Sequence, residues 1–126
     1  MSLDPNFAPE LNALVSAAIN AKASNLVLIV QYDEVEVHFR VNGYLERHSL
    51  LGQKQKTTVL TEIHCKLLGH EKISYNRDEQ ALFHLPHDET QSVRIRLAMA
   101  PYLNGSMIHL RLLLVETKPT AESEEA

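Results

Sequence analysis

The chain has one cysteine, four glycines and no excess of positive charge among its 126 residues. Each shortage excludes something. The single thiol, Cys65, cannot close an internal disulfide and fits a reducing compartment. The glycines, Gly43, Gly52, Gly69 and Gly105, never stand before Lys-Ser or Lys-Thr. No G-x-x-x-x-G-K-[ST] loop is therefore present to cradle phosphates with backbone N–H groups. No cysteine or histidine spacing matches a zinc signature such as C-x2-C. No apolar run approaches the roughly 18 residues that a membrane helix needs, so direct membrane insertion is not expected. No basic stretch leading into an apolar one marks a secretory signal. The net charge is −4, and residues 116–126 carry −3 of it through Glu116, Glu122, Glu124 and Glu125 against Lys118. Residues 1–115 are thus nearly neutral, whereas a dedicated nucleic-acid binder carries a basic face.

What is present is ordinary globular material, 44% hydrophobic and 22% charged, in a length that suits one domain. From Pro9 the apolar residues Leu11, Leu14, Val15, Ala18 and Ile19 fall on one helical stripe. That spacing predicts a helix over about 9–22. The period then changes. Leu26 to Val30 is a continuous β-branched and leucine run, readable as a strand buried on both faces. Val35, Val37, Phe39 and Val41 alternate with Glu36, His38 and Arg40, the pattern of a half-buried strand. Asn42-Gly43 leads directly into Tyr44–His48, a hairpin signal because both turn residues accept positive φ.

A second helix is expected over 53–68, with Val59, Ile63 and Leu67 on its stripe and Gly69 as a left-handed cap. Strands follow over 80–85, from Val93 to Met99, and from Met107 to Val115, with a turn cluster at 86–89 and a loop at 101–105. Residues 1–8 read as a leader, 9–115 as the domain, and 116–126 as an acidic tail with nothing to bury. The expected fold class is α+β, in the order α-β-β-β-α-β-β-β. Short connections favour one antiparallel sheet of about six strands, and one apolar stripe per helix favours both helices on one face.

Several stretches in this order resemble the traffic ATPases of type II secretion and type IV pili, in which a PAS-like domain precedes a RecA-like ATPase domain. The resemblance rests on Ala23-Ser24-Asn25-Leu26, on Val37-His38-Phe39-Arg40-Val41-Asn42-Gly43, and on Val93 to Pro101 followed by Gly105 and Arg111-Leu112-Leu113. The family pattern reads ASD-hydrophobic-H-hydrophobic-E, then RFR-hydrophobic-DG, a PQDGR loop, hydrophobic-R-hydrophobic-S-x-x-P, a GE step and a closing RLL. Arg40, Arg96, Pro101, Gly105 and Arg111 stand where that pattern has them. The family's Asp, His and Glu of the first motif correspond to Asn25, Val27 and Ile29, its first arginine to His38, and its later serine and glutamate to Ala98 and Ser106. The PQDGR loop is barely recognisable around Arg77–Ala81. The resemblance implies a PAS-like fold and a bacterial secretion or pilus machine.

The same resemblance marks Arg40, Arg96 and Arg111 as interface or phosphate-facing residues, because arginine's planar fork pairs with phosphate or carboxylate. The competing expectation is ordinary cross-strand pairing of Arg40 and Arg96 with Glu34, Glu36 or Glu46. Val27 and Ile29, apolar where the family is polar, are a candidate partner patch if they are exposed. His64 and Cys65 are adjacent, about 100° apart on a helix, and would not readily share one metal, and His70 and His84 lie elsewhere in the chain. Cys65, flanked by Ile63, Leu67 and Leu68, reads as a small packed thiol and not as a nucleophile.

The expected function is that of a non-catalytic assembly or adaptor domain, cytoplasmic and peripheral to the inner membrane through its partners. Those partners would be a secretion or pilus ATPase domain, an inner-membrane platform component, or further copies of the chain. No catalytic residue, cofactor, metal or nucleic acid is expected. Two alternatives stay open: an excised piece of a longer traffic ATPase, and a PAS-like small-molecule sensor.

Overall fold

The periodicities of the sequence become six strands and two helices in a computed structural model that describes residues 7–116. Most of the leader and all but the first residue of the acidic tail lie outside the described residues. Helix α1 spans Pro9–Asn20 and buries Leu11, Val15 and Ala18. It ends two residues before the expected point. Lys22 takes a left-handed φ of 66°, and the Ala23 N–H donates back to the Ala18 carbonyl at 2.9 Å, which closes the helix. Strands β1 (Asn25–Val30), β2 (Val35–Val41) and β3 (Tyr44–Leu51) follow, then α2 (Gln53–Thr61), and finally β4 (Glu79–Pro86), β5 (Gln91–Tyr102) and β6 (Gly105–Glu116).

All strand pairs are antiparallel, in the sheet order β3-β2-β1-β6-β5-β4. Two three-stranded meanders therefore join through β1 and β6. Asn42 and Gly43 adopt φ of 53° and 84°, so the β2–β3 turn has the positive-φ geometry expected of Asn-Gly. β3 runs three residues past the expected His48. An irregularity in its pairing with β2 between Val37 and His38 absorbs an extra residue, and His48 stacks on Phe39 with ring centroids 4.2 Å apart.

The expected loop at 101–105 is instead a tight hairpin. β5 and β6 pair up to Tyr102 and Gly105, with Leu103 at φ 53° in the turn. Gly105 is needed there, since a Cβ would collide with the Val30 backbone carbonyl.

One face of the sheet carries the core along its central strands. Leu26, Leu28 and Val30 of β1, Val93, Ile95, Leu97 and Met99 of β5, and Ile108 and Leu110 of β6 form one core with Leu11, Val15, Val59, Leu60 and Ile63 of the helical layer. This is the helix-on-sheet arrangement that one stripe per helix implies.

The expected helix over 53–68 is continuous in direction but not in type. After Thr61 it widens into a π-helical turn, Glu62–Leu67, with Leu68 N–H donating to the Ile63 carbonyl at 3.0 Å. Each residue of a π-turn rotates less than the ~100° of an α-helix. Three consecutive residues, Glu62, Ile63 and His64, are thereby all buried. The Glu62 carboxylate accepts from the Leu11 N–H at 2.8 Å and the Glu10 N–H at 3.2 Å. It satisfies two orphan donors of α1 from 51 residues away along the chain and sits at the positive end of that helix. Gly69, with φ 76°, ends the segment as the sequence suggests.

Candidate functional site

The face of the sheet away from the helices is built from the alternate residues of the same strands. The strand registers set three of its arginines in one row. Arg40 of β2 lies opposite Asn25 of β1, Asn25 opposite Arg111 of β6, and Arg111 opposite Arg96 of β5. Leu45 and Leu82 extend the row onto the edge strands. The three arginines singled out by sequence, 71 positions apart at the extremes, thus meet across four adjacent strands.

The row is ordered at its centre. The Ser24 hydroxyl donates to Asn25 Oδ1 at 2.6 Å, and Asn25 Nδ2 lies 2.8 Å from His109 Nε2. With the amide nitrogen donating, Nε2 accepts and His109 is neutral. Burial pushes the His109 pKa down, and the Arg40 and Arg111 guanidinium groups push it the same way. Arg40 itself donates to the Gly43 carbonyl at 3.1 Å, which ties its guanidinium to the hairpin turn.

The expected pairing of Arg40 and Arg96 with Glu34, Glu36 or Glu46 does not form. Glu36 bonds His38 at 3.0 Å instead, and Glu46 lies opposite Phe39, whose side chain is in the core. Among the described residues the ion pairs within 4.0 Å are His38–Glu36 and His70–Glu79, and neither contains an arginine.

Arg94 was not among the expected site residues, yet it completes the site. Arg94 and Arg96 are alternate residues of β5 and are both exposed. They line a groove of about 520 Å3 with Arg111, Ser24, Leu82 and Leu113. The alternation of arginines with Val93, Ile95 and Leu97 was visible in the sequence and is the signal that would have included Arg94.

Val27 and Ile29 lie on this same face, between His38 and His109 and between Glu36 and Met107. Val27 is only 5% exposed and Ile29 is half-buried. The condition for a partner patch is therefore not met at Val27, because a central strand is closed in by its neighbours. The larger exposed apolar groups of this face are Leu82 and Leu113, 60% and 53% exposed, beside the arginines.

On the helical side, His64 is fully enclosed, with neither ring nitrogen hydrogen-bonded. Its pKa is lowered to about 4, first by burial and then by Arg77 and His70, with Glu79 opposing. Cys65 beside it is a free, half-buried thiol. Among the described residues no three His, Cys, Asp or Glu side chains converge as a metal site. Among the same residues no helix is long and apolar enough to cross a membrane.

Residues 4–123 match the family described as "Type II/IV secretion system protein". The chain belongs to that family. No curated protein matches it. Within the family frame, the residues that keep the secretion pattern have distinct structural roles. Gly105 permits the close approach of β6 to β1, whereas Arg40, Arg96 and Arg111 make the outer row.

Proposed function

We propose that the chain acts as a non-catalytic, PAS-like assembly or adaptor domain of a type II/IV secretion machine, and that it meets its partner through the outer face of the sheet. The observation that carries this reading is the row Arg40, Asn25, Arg111, Arg96, in which no arginine is neutralised by a carboxylate among the described residues. Guanidinium groups held on a rigid sheet suit recognition of carboxylate or phosphate groups on another surface. The helix-facing side is filled by side chains, which favours a protein-contacting role over an enclosed ligand. The partner would be a motor domain or a platform component at the cytoplasmic side of the inner membrane. The same face would serve whether the motor domain is in the same polypeptide or another.

The test is affinity capture from the native host with the wild-type chain and with Arg40→Ala/Arg96→Ala/Arg111→Ala. Wild type is expected to recover a component of the secretion machine, and the triple variant is expected to lose it with an unchanged melting curve. Recovery of no such component by the wild-type chain would overturn the reading.

A further inference from the structure

The groove of Arg94, Arg96 and Arg111 has a layout as well as a charge. Arg94 and Arg96 are alternate residues of β5, so they project from one face about 7 Å apart. Arg111 stands directly across from Arg96 on the next strand, about 5 Å away. Two leucines close the sides. Leu82 of β4 lies opposite Arg96, and Leu113 of β6 lies opposite Arg94. Both leucines are exposed. The result is a track of positive charge along β5 with an apolar wall on each side.

Like charges this close repel, and the sheet holds these three with no carboxylate within 4.0 Å among the described residues. Their field extends along the row. Burial first, and then Arg40 and Arg111, hold the His109 imidazole below its ordinary pKa. An anionic occupant would relieve the repulsion, and the spacing narrows its kind. In an extended chain the side chains at i and i+2 share a face at about 7 Å, the pitch of Arg94 and Arg96. Acidic side chains four apart on a helix stand only about 5–6 Å apart. The walls fit the same occupant. Leu82 and Leu113 would cover the methylene groups of acidic side chains and keep water from the ion pairs, which strengthens them.

We propose that the groove seats an extended acidic segment of a partner protein, with one carboxylate in the fork of Arg96 and Arg111 and a second, two residues along, on Arg94. This rests on the reading of the outer face given above and names the chemistry of the partner there. Arg94, which the family pattern does not mark, then sets the spacing that the partner must match.

The test is an NMR titration of the 15N-labelled full chain with the peptide Thr-Glu-Val-Glu-Thr, its termini blocked, in about 20 mM salt, where screening is weak. Saturable shifts are expected at the amides of Arg94 to Leu97, Arg111 to Leu113 and Leu82. Thr-Glu-Glu-Val-Thr has the same composition without the alternate spacing and is expected to bind about fivefold more weakly or worse. Arg94→Ala is expected to remove that preference while the chain keeps its melting curve. Equal affinity for the two peptides, or no saturable shift at the groove, would overturn the proposal. Inorganic tripolyphosphate moving the same amides at lower concentration than the alternate peptide would make the groove a phosphate site and would also overturn it. If the peptides show no preference while the triple variant Arg40→Ala/Arg96→Ala/Arg111→Ala still loses its secretion component, the acidic-segment proposal alone falls. If the preference holds but the wild-type chain captures no such component, the functional reading falls instead.

Discussion

Two neighbouring residues of one strand, Ile95 and Arg96, show how differently the two faces of this sheet are used. Ile95 has no exposed surface and packs within the helix-covered core, whereas Arg96 projects into an open groove and has no carboxylate partner among the described residues. The alternation that puts them on opposite faces is elementary strand geometry. Its consequence is a division of labour. The inner face holds the fold, and the outer face, with three arginines of one motif pattern in a single row, is free to hold something else. A residue kept for stability and one kept for recognition can therefore be adjacent in sequence and independent in energy.

The strongest test of this division is Ile95→Ala. Removing a fully enclosed isoleucine side chain beside Leu97 and Val93 loses transfer free energy and leaves a cavity, and is expected to cost about 3–4 kcal/mol. Urea unfolding at neutral pH measures it directly. Partner capture by the fraction that remains folded should be unchanged. A loss below about 1 kcal/mol would show that the inner face is less closely packed than its burial implies.

His64 tests the inner side through pH. Its folded pKa of about 4 lies below the ordinary 6.5. Between those values the unfolded chain takes up a proton that the folded chain refuses, so stability falls as pH falls through this window. The contribution is intact above 6.5 and fully lost near 4, where the folded state also protonates. The groups that act on it are Arg77 and His70, which oppose protonation, and Glu79, which favours it. The full effect is about 3 kcal/mol. Relative to wild type, His64→Leu is expected to lose about 2–3 kcal/mol less stability between pH 7 and pH 4.5. Equal losses in the two proteins would mean that the histidine is not the acid-sensitive group. At neutral pH the variant should not be much weakened, because leucine removes two buried nitrogens that lack hydrogen bonds.

Much of this could be anticipated from residue order. The helical stripe of Leu11, Val15 and Ala18, the Asn42-Gly43 hairpin and the alternation of β5 are local patterns, and local patterns are legible. The burial of Glu62 was not, because its partners are the N–H groups of Glu10 and Leu11. The π-turn that presents it depends on tertiary packing and leaves no local period. At the site, the resemblance marked Arg40, Arg96 and Arg111 one at a time. Their single row required the β1–β6 pairing, a contact between the two halves of the chain. That pairing also closes in Val27, in keeping with the reading of Leu26–Val30 as a strand buried on both faces.

The smallest expected effect lies next door to the largest. Arg96→Ala removes a side chain with no ion pair within 4.0 Å and no hydrogen bond among the described residues. Its charge stands opposite Arg111 and two residues from Arg94 on the same strand, so truncation relieves repulsion as readily as it loses packing. The expected change in stability is within about 0.5 kcal/mol of zero, measured under the same urea conditions as Ile95→Ala. If Arg96→Ala destabilises by more than about 1.5 kcal/mol, the arginine is a structural member of the sheet and the division between the faces fails at its most exposed point. If stability is unchanged and capture of the secretion component drops, then the outer face is the interface. Adding Arg94→Ala should then deepen the loss of binding and leave the urea midpoint unchanged, because both side chains line one groove and neither is part of the core.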